Sequence, residues 1–304
     1  MPCSVPVLLL AFNRPEKTAK VLAQIREAAP VRVYAHCDGP RSNYPDDLNK
    51  TTEVKRLVLD HLSLLGVKTL FREENMGLRK GVYDALNWFF EQEEYGIILE
   101  DDCVPDLSLF QFCADLLLRY RDDPEIMHIG CSNLAESHTE NLAADYFFSR
   151  FPLVWGWASW RRAWRNMTID LEGLDRFERN REMKRFIPGA MAQAYISEKF
   201  RATKTGKMNS WAYSWFYSIL KNNGLCIIPK INLVQNVGVG EADATNTTRH
   251  NKKARKAAGS IHFPLTHPSG KSVDPDMEKR VFYVSQKSRL RLPPWYLLHI
   301  LGLR

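Results

Sequence analysis

The first hundred residues repeat a short apolar run followed by a segment of helical periodicity. Val7–Phe12 is continuously apolar, as a buried strand is. Val21, Leu22 and Ile25 then recur at helical spacing, with Asn13 as the expected N-cap, Pro15 in the first turn and Glu16 at the third position. Val31–Cys37 reads as a second strand, closed by the turn signal Asp38-Gly39-Pro40. Residues 41–50 are polar and read as a loop. Val54–Leu65 is amphipathic, and Val67–Phe71 reads as a third strand. Asn75-Met76-Gly77 precedes a helix predicted over Leu78–Gln92, and Ile97–Glu100 is the fourth strand. This alternation predicts an α/β fold with a mainly parallel central sheet flanked by helices.

Beyond a helix predicted over Leu107–Arg121 the pattern is less regular. Ile126–Gly130 and Tyr146–Phe148 read as strands, and residues 225–237 as a strand pair around Pro229. Residues 151–164 are rich in aromatics; Trp160 and Trp164, four apart, are expected to share a helix face in the core. Residues 172–208 look helical and strongly charged. Residues 241–275 have little periodicity and a basic cluster from Arg249 to Lys256, which suggests a loop or lid.

The polar residues worth weighing fall at strand ends. Asn13-Arg14, Asp38-Gly39 and Glu100-Asp101-Asp102 each follow an apolar run. In an open α/β sheet those ends line one edge, where ligands bind. Three adjacent carboxylates repel one another and burial raises the cost, so a cation is expected; oxygen ligands suit Mg²⁺ or Mn²⁺.

Composition changes this picture little. A net charge of +7 fits an anionic ligand or surface but does not argue for nucleic acid. Six scattered cysteines without a CxxC pair read as reduced thiols in a cytoplasmic protein. The sequons at Asn49, Asn166 and Asn246 then read as chance matches. Val5–Phe12 lacks a basic leader and is expected to be a strand, not a signal segment. No run approaches the ~18 apolar residues of a membrane span. In residues 279–304, basic residues precede Trp295, Tyr296, Leu297, Leu298, Ile300 and Leu301. Such a tail suits either the inner face of a plasma membrane or a docked terminal helix.

In this order the pieces resemble a GT-A glycosyltransferase over about residues 5–248. The carriers are Leu10-Ala11-Phe12-Asn13-Arg14-Pro15, His36-Cys37-Asp38-Gly39, Asn75-Met76-Gly77-Leu78 and Glu100-Asp101-Asp102. Trp155-Gly156-Trp157, Trp211 with Trp215, and Asn232-Leu233-Val234 running to Gly240–Thr245 complete them. The chain looks most similar to bacterial nucleotide-diphospho-sugar transferases related to N-acetylglucosaminyltransferase I. The resemblance implies a Rossmann-like GT-A domain over 1–248, with a nucleotide-sugar half (1–105) and an acceptor half (106–248). A lid (249–278) and a basic amphipathic tail (279–304) would follow. It implies a UDP-sugar donor, a glycan or lipid-linked glycan acceptor, transfer with inversion, and cell-surface polysaccharide or lipopolysaccharide synthesis.

The resemblance also assigns residues. Asp102 would bind Mn²⁺ or Mg²⁺, bridging the diphosphate, with Asp101 near the ribose or sugar and Glu100 beside them. Asp38 would accept a hydrogen bond from uracil, with Asn75 at the same pocket. Arg14 would contact base or phosphate, and Arg79 and Lys80 the diphosphate. Trp155, Gly156, Trp157 and Trp211 would face the substrate, although aromatics at this density also suit a core.

Two departures matter. Related chains would carry an acid between the two tryptophans as general base, where this chain has Trp211-Ala212-Tyr213-Ser214-Trp215. Glu241 and Asp243 are the nearest replacements. Asn246 stands where a His would be expected, with His250 nearby. The alternatives are a non-catalytic nucleotide-sugar-binding protein and a sugar nucleotidyltransferase. The latter would show a Gly-rich loop after the first strand, and residues 11–16 contain no Gly.

Overall fold

The computed structural model describes residues 3–238 and 256–286. Four parallel strands form first: β1 (Val7–Ala11), β2 (Val33–Cys37), β3 (Lys68–Phe71) and β4 (Tyr95–Glu100). Helices α1 (Pro15–Ala28), α2 (Pro45–Leu62) and α3 (Leu78–Gln92) connect them. The chain continues through β5 (Cys103–Pro105), α4 (Ser108–Arg119), β6 (Ile126–Gly130), β7 (Tyr146–Ser149) and β8 (Trp157–Trp160). Short helices α5 (Arg161–Trp164), α6 (Leu174–Arg179) and α7 (Met183–Phe186) precede α8 (Ala190–Lys204) and α9 (Trp211–Lys221). Strands β9 (Leu225–Pro229) and β10 (Val234–Asn236) and helix α10 (Pro275–Gln286) complete the described elements.

Eight strands make one sheet in the order β3-β2-β1-β4-β8-β6-β9-β7. Six run one way; β8 and β7 are antiparallel to their neighbours. This is the α/β class with a mainly parallel, helix-flanked, Rossmann-like sheet that the alternating pattern predicts. Strand alternation sends Val7, Leu9, Ala35, Ile97 and Leu99 into a core with α1, α2 and α4. Leu8, Leu10, Tyr34 and Ile98 face α3, α5 and α9 on the other side. A third cluster joins α6, α7, α8 and α10 to the outer edge of the sheet.

Several local expectations are corrected. Helix α2 begins at Pro45, inside the segment read as a loop; proline at the helix start and Asp46 and Asp47 in the first turn favour that start. Asn13 does not cap α1: Arg14 occupies the N-cap position without a side-chain cap, and the Asn13 amide donates to Asp47 Oδ1 at 2.7 Å. Trp160 and Trp164 are both core residues but share no helix face, because Trp160 ends β8 and Trp164 lies on α5. Their indole N–H groups donate to Leu117 O and Asn87 Oδ1.

Residues 256–274 are irregular, as their lack of periodicity suggests, but Ile261 and Leu265 are buried against the sheet core. Residues 279–286 belong to α10, with Val281 and Phe282 buried; the rest of the expected tail lies outside the described residues. All six cysteines are unpaired and buried. Among the described residues no helix is long and apolar enough to cross a membrane.

Candidate functional site

Among the four parallel strands β1–β4 the order reverses between β1 and β4: β2 and β3 lie beyond β1, and β8 lies beyond β4. The carboxyl ends of strands that flank such a reversal splay apart and leave a crevice. The turn after β1 carries Phe12-Asn13-Arg14, and β4 ends in Glu100-Asp101-Asp102. The backbone stitches the two turns together. Asp101 N–H donates to Leu10 O at 3.0 Å, and Phe12 N–H to Asp101 Oδ2 at 3.1 Å.

Arg14 spans both carboxylates. Its guanidinium lies 2.7 Å from Asp101 Oδ1 and 2.7 Å from Asp102 Oδ2. Asp101 is 1% exposed and Asp102 8% exposed, so this charge cluster is largely withdrawn from water. Burial pushes the Asp101 carboxyl up, against the pull of Arg14. Burial also raises the Glu100 carboxyl, reinforced by the charge of Asp102.

The second wall of the crevice is not evident in the sequence pattern. β5, directly after Asp102, pairs antiparallel with β10, and Asn236 is opposite Cys103. The Asn236 amide donates to Asp102 Oδ1 at 3.2 Å, and Val237 N–H donates to Asp102 O at 2.8 Å. Gly238 packs so tightly on the carboxylate that a Cβ there would sit 2.2 Å from Asp102 Oδ2. Sequence reading missed Asn236 and Gly238. Residues 225–237 read as a strand pair, but β10 pairs with β5 and not with β9, and that long-range partner is what brings Asn236 and Gly238 to Asp102.

Asp38, at the end of β2, is 7% exposed and turned towards its own chain. Oδ1 accepts from Gly39 N–H and Met76 N–H, each at 2.9 Å. Oδ2 accepts from Gly77 N–H and Asn75 Nδ2, each at 3.1 Å. Burial raises this carboxyl, and the three backbone N–H groups oppose the rise. Four acceptances use the carboxylate's ordinary capacity. Asp38 and Asn75 thus clamp the loop that feeds α3, in the position where the resemblance implies a base contact.

Arg79 turns away from the carboxylates. Its guanidinium donates to Ile169 O, lies 3.1 Å from Asp170 Oδ1, and ties α3 to the segment between α5 and α6. Lys80 is exposed. Trp157 is fully buried, stacked on His128 (centroids 5.1 Å apart) and Trp211 (5.6 Å). Trp211 is 3% exposed. These two rings sit in the core, not on a sugar-facing surface, because α9 packs over β8 and covers them. Gly156 (φ +58°) is buried against Leu99, Leu109 and Val234, where a side chain would be strained. Trp155 alone of the trio keeps partial exposure.

Ala212 lies in the first turn of α9, which holds no acid. Glu241, Asp243 and His250 lie outside the described residues. Among the described residues no three His, Cys, Asp or Glu side chains converge as a metal cage. One or two carboxylates do suffice for Mg²⁺ when a bound diphosphate supplies further oxygens.

No family model matches the chain, and no curated protein matches it. Among solved structures it is similar to a UDP-glucose pyrophosphorylase complexed with UDP-glucose. The identity is 10% over 74% of this chain and 90% of that one, with a TM-score of 0.37.

Proposed function

We propose that the protein is a metal-dependent glycosyltransferase that moves a sugar from a UDP-sugar to a glycan or lipid-linked glycan, with inversion. The observation that carries this reading is the buried Arg14–Asp101–Asp102 cluster at the switch point between β1 and β4. One guanidinium beside two carboxylates leaves the cluster net negative, so a divalent metal would be needed to reverse that charge and admit a diphosphate, with Arg14 as a second cation beside it. Asp102 would hold Mn²⁺ or Mg²⁺, with Asp101 and Glu100 adding negative field. The metal, when bound, would stabilise charge developing on the leaving diphosphate. Arg14 would then exchange one carboxylate contact for a phosphate oxygen. Setting and location follow the resemblance: cell-surface glycan synthesis, on the cytoplasmic side.

A screen of UDP-, GDP- and CMP-sugars for thermal stabilisation with and without Mn²⁺ tests the reading. A donor at ~100 times its dissociation constant adds about 2.7 kcal/mol. Metal-dependent stabilisation by UDP-sugars supports it. Equal effects of all three nucleotides, or none, would count against it.

One observation favours a second reading, donor binding without transfer. Ala212 and its neighbours in the first turn of α9 offer no carboxylate to take the acceptor proton. Calorimetry with UDP-sugar and Mn²⁺, beside a donor-hydrolysis assay, separates the two. Tight binding without turnover would favour this one.

A further inference from the structure

A cavity of about 360 Å³ lies between the C-terminal half of α3 and α5, remote from the carboxylates. α3 starts beside the strand ends, at the loop clamped by Asp38, and runs to Gln92, just before β4 begins. Arg161 N–H donates to Glu94 O at 2.7 Å, which fixes α5 at that opposite edge of the sheet.

The lining combines apolar side chains (Tyr83, Phe90, Trp164 and Met167) with the polar groups of Asn87, Glu91 and Arg165; Arg161, also at the wall, is already spent on the carbonyls that end α3. Trp164 is 4% exposed, and its indole N–H donates to Asn87 Oδ1 at 2.8 Å. That bond fixes the Asn87 amide and leaves Nδ2 without a partner among the described residues. The half-buried Tyr83 ring lies 6.1 Å from Trp164, inclined at 43°. The Glu91 carboxylate and the Arg165 guanidinium have no ion-pair partner among the described residues and are exposed.

This mixture selects among ligands. A purely apolar ligand would strip water from Glu91 and Arg165 without replacing it. A phosphate would meet Arg165 but be repelled by Glu91. A pyranose suits both kinds of lining, since each hydroxyl both donates and accepts and its C–H face is apolar. Its hydroxyls can donate to Glu91 and accept from Asn87 Nδ2 and Arg165, while its C–H face covers the Tyr83 ring. The volume falls in the range of small-ligand sites. We propose that this cavity binds a pyranose unit of a glycan, at a site separate from the carboxylate cluster. The site stands on its own lining, whether or not the protein transfers sugar.

Saturation-transfer NMR on the full chain tests this, with methyl glucopyranoside, methyl galactopyranoside and methyl glucuronoside as probes and inorganic phosphate as competitor. Ring-proton signals are expected from at least one pyranoside, without displacement by phosphate. Glu91→Gln and Tyr83→Ala should each weaken that pyranoside about tenfold, roughly 1.4 kcal/mol. Asp102→Ala should leave it unchanged, and UDP binding should persist in Glu91→Gln. No pyranoside signal, displacement by phosphate, or full affinity in Glu91→Gln would overturn the proposal. Loss of the signal in Asp102→Ala would move the probe to the strand ends and overturn it equally.

Discussion

The Arg14 guanidinium lies 2.7 Å from the Asp102 carboxylate, across the crevice where the strand order reverses. The pair joins the turn after β1 to the end of β4, and it sets what each side chain can do next. Without a ligand, the guanidinium stabilises two buried carboxylates that would otherwise repel each other. A metal and a diphosphate would compete for the same groups.

Asp102→Ala should therefore abolish Mn²⁺-dependent UDP binding, because it removes the carboxylate placed to meet both cation and diphosphate. Calorimetry with and without EDTA measures this. Retained metal-dependent affinity would sink the metal assignment.

Gly238→Ala is a gentler probe of the same carboxylate. The new methyl would lie 2.2 Å from Asp102 Oδ2 and 3.1 Å from Arg14 Nη1, so the pair must shift. Metal-dependent UDP affinity should fall by about tenfold, with the fold retained by circular dichroism. Affinity equal to the parent's would mean that Asp102 does not need this placement.

Ala212→Asp tests where the acceptor proton goes. If transfer is limited by a missing base in the first turn of α9, the variant should turn over donor faster at neutral pH. A rate that is unchanged or lower would direct attention to Glu241 or Asp243.

Trp157→Ala should cost stability, not substrate affinity. The ring is fully buried among His128, Trp164, Trp211 and Trp215. Truncating such a ring costs about 3–5 kcal/mol, readable by urea denaturation. A loss below ~1 kcal/mol coupled to weaker sugar binding would restore the substrate-facing role.

Glu278 gives a pH dependence. Burial pushes its carboxyl from 4.5 up to about 7, with Arg150 N–H donating to Oε1 at 2.7 Å. Between those values the folded chain keeps a proton that the unfolded chain has lost. This group's contribution is therefore fully present below 4.5 and is lost as pH rises through 7. Glu278→Gln keeps the acceptor and removes the ionisation. It should be more stable than the parent above pH 7, by on the order of 3 kcal/mol, and nearly equal to it below the lower value. Matching urea curves at alkaline pH would show that the carboxylate is solvated there.

The sequence by itself determined the β-α alternation and the polar strand ends. Helix α3 starts and stops where its spacing says, and Arg14, Asp38 and Asp102 follow apolar runs as read. These features are local: side-chain period and turn chemistry act over a few residues. β8 escaped because it is only four residues long and Ser159 interrupts its apolar run; that hydroxyl is accommodated in the interior by donating to Met127 O, a partner distant in sequence. The tertiary structure alone decided what meets at the site. Asn236 reaches Asp102 across 134 positions through the β5–β10 pairing, and Arg79 is drawn to Ile169 rather than to the crevice. Asp38 is filled by its own loop because Met76 and Gly77 arrive beside it when α3 docks. Such partners are chosen by the global packing of helices on the sheet. Contacts made only once distant segments are packed leave no trace in the local pattern.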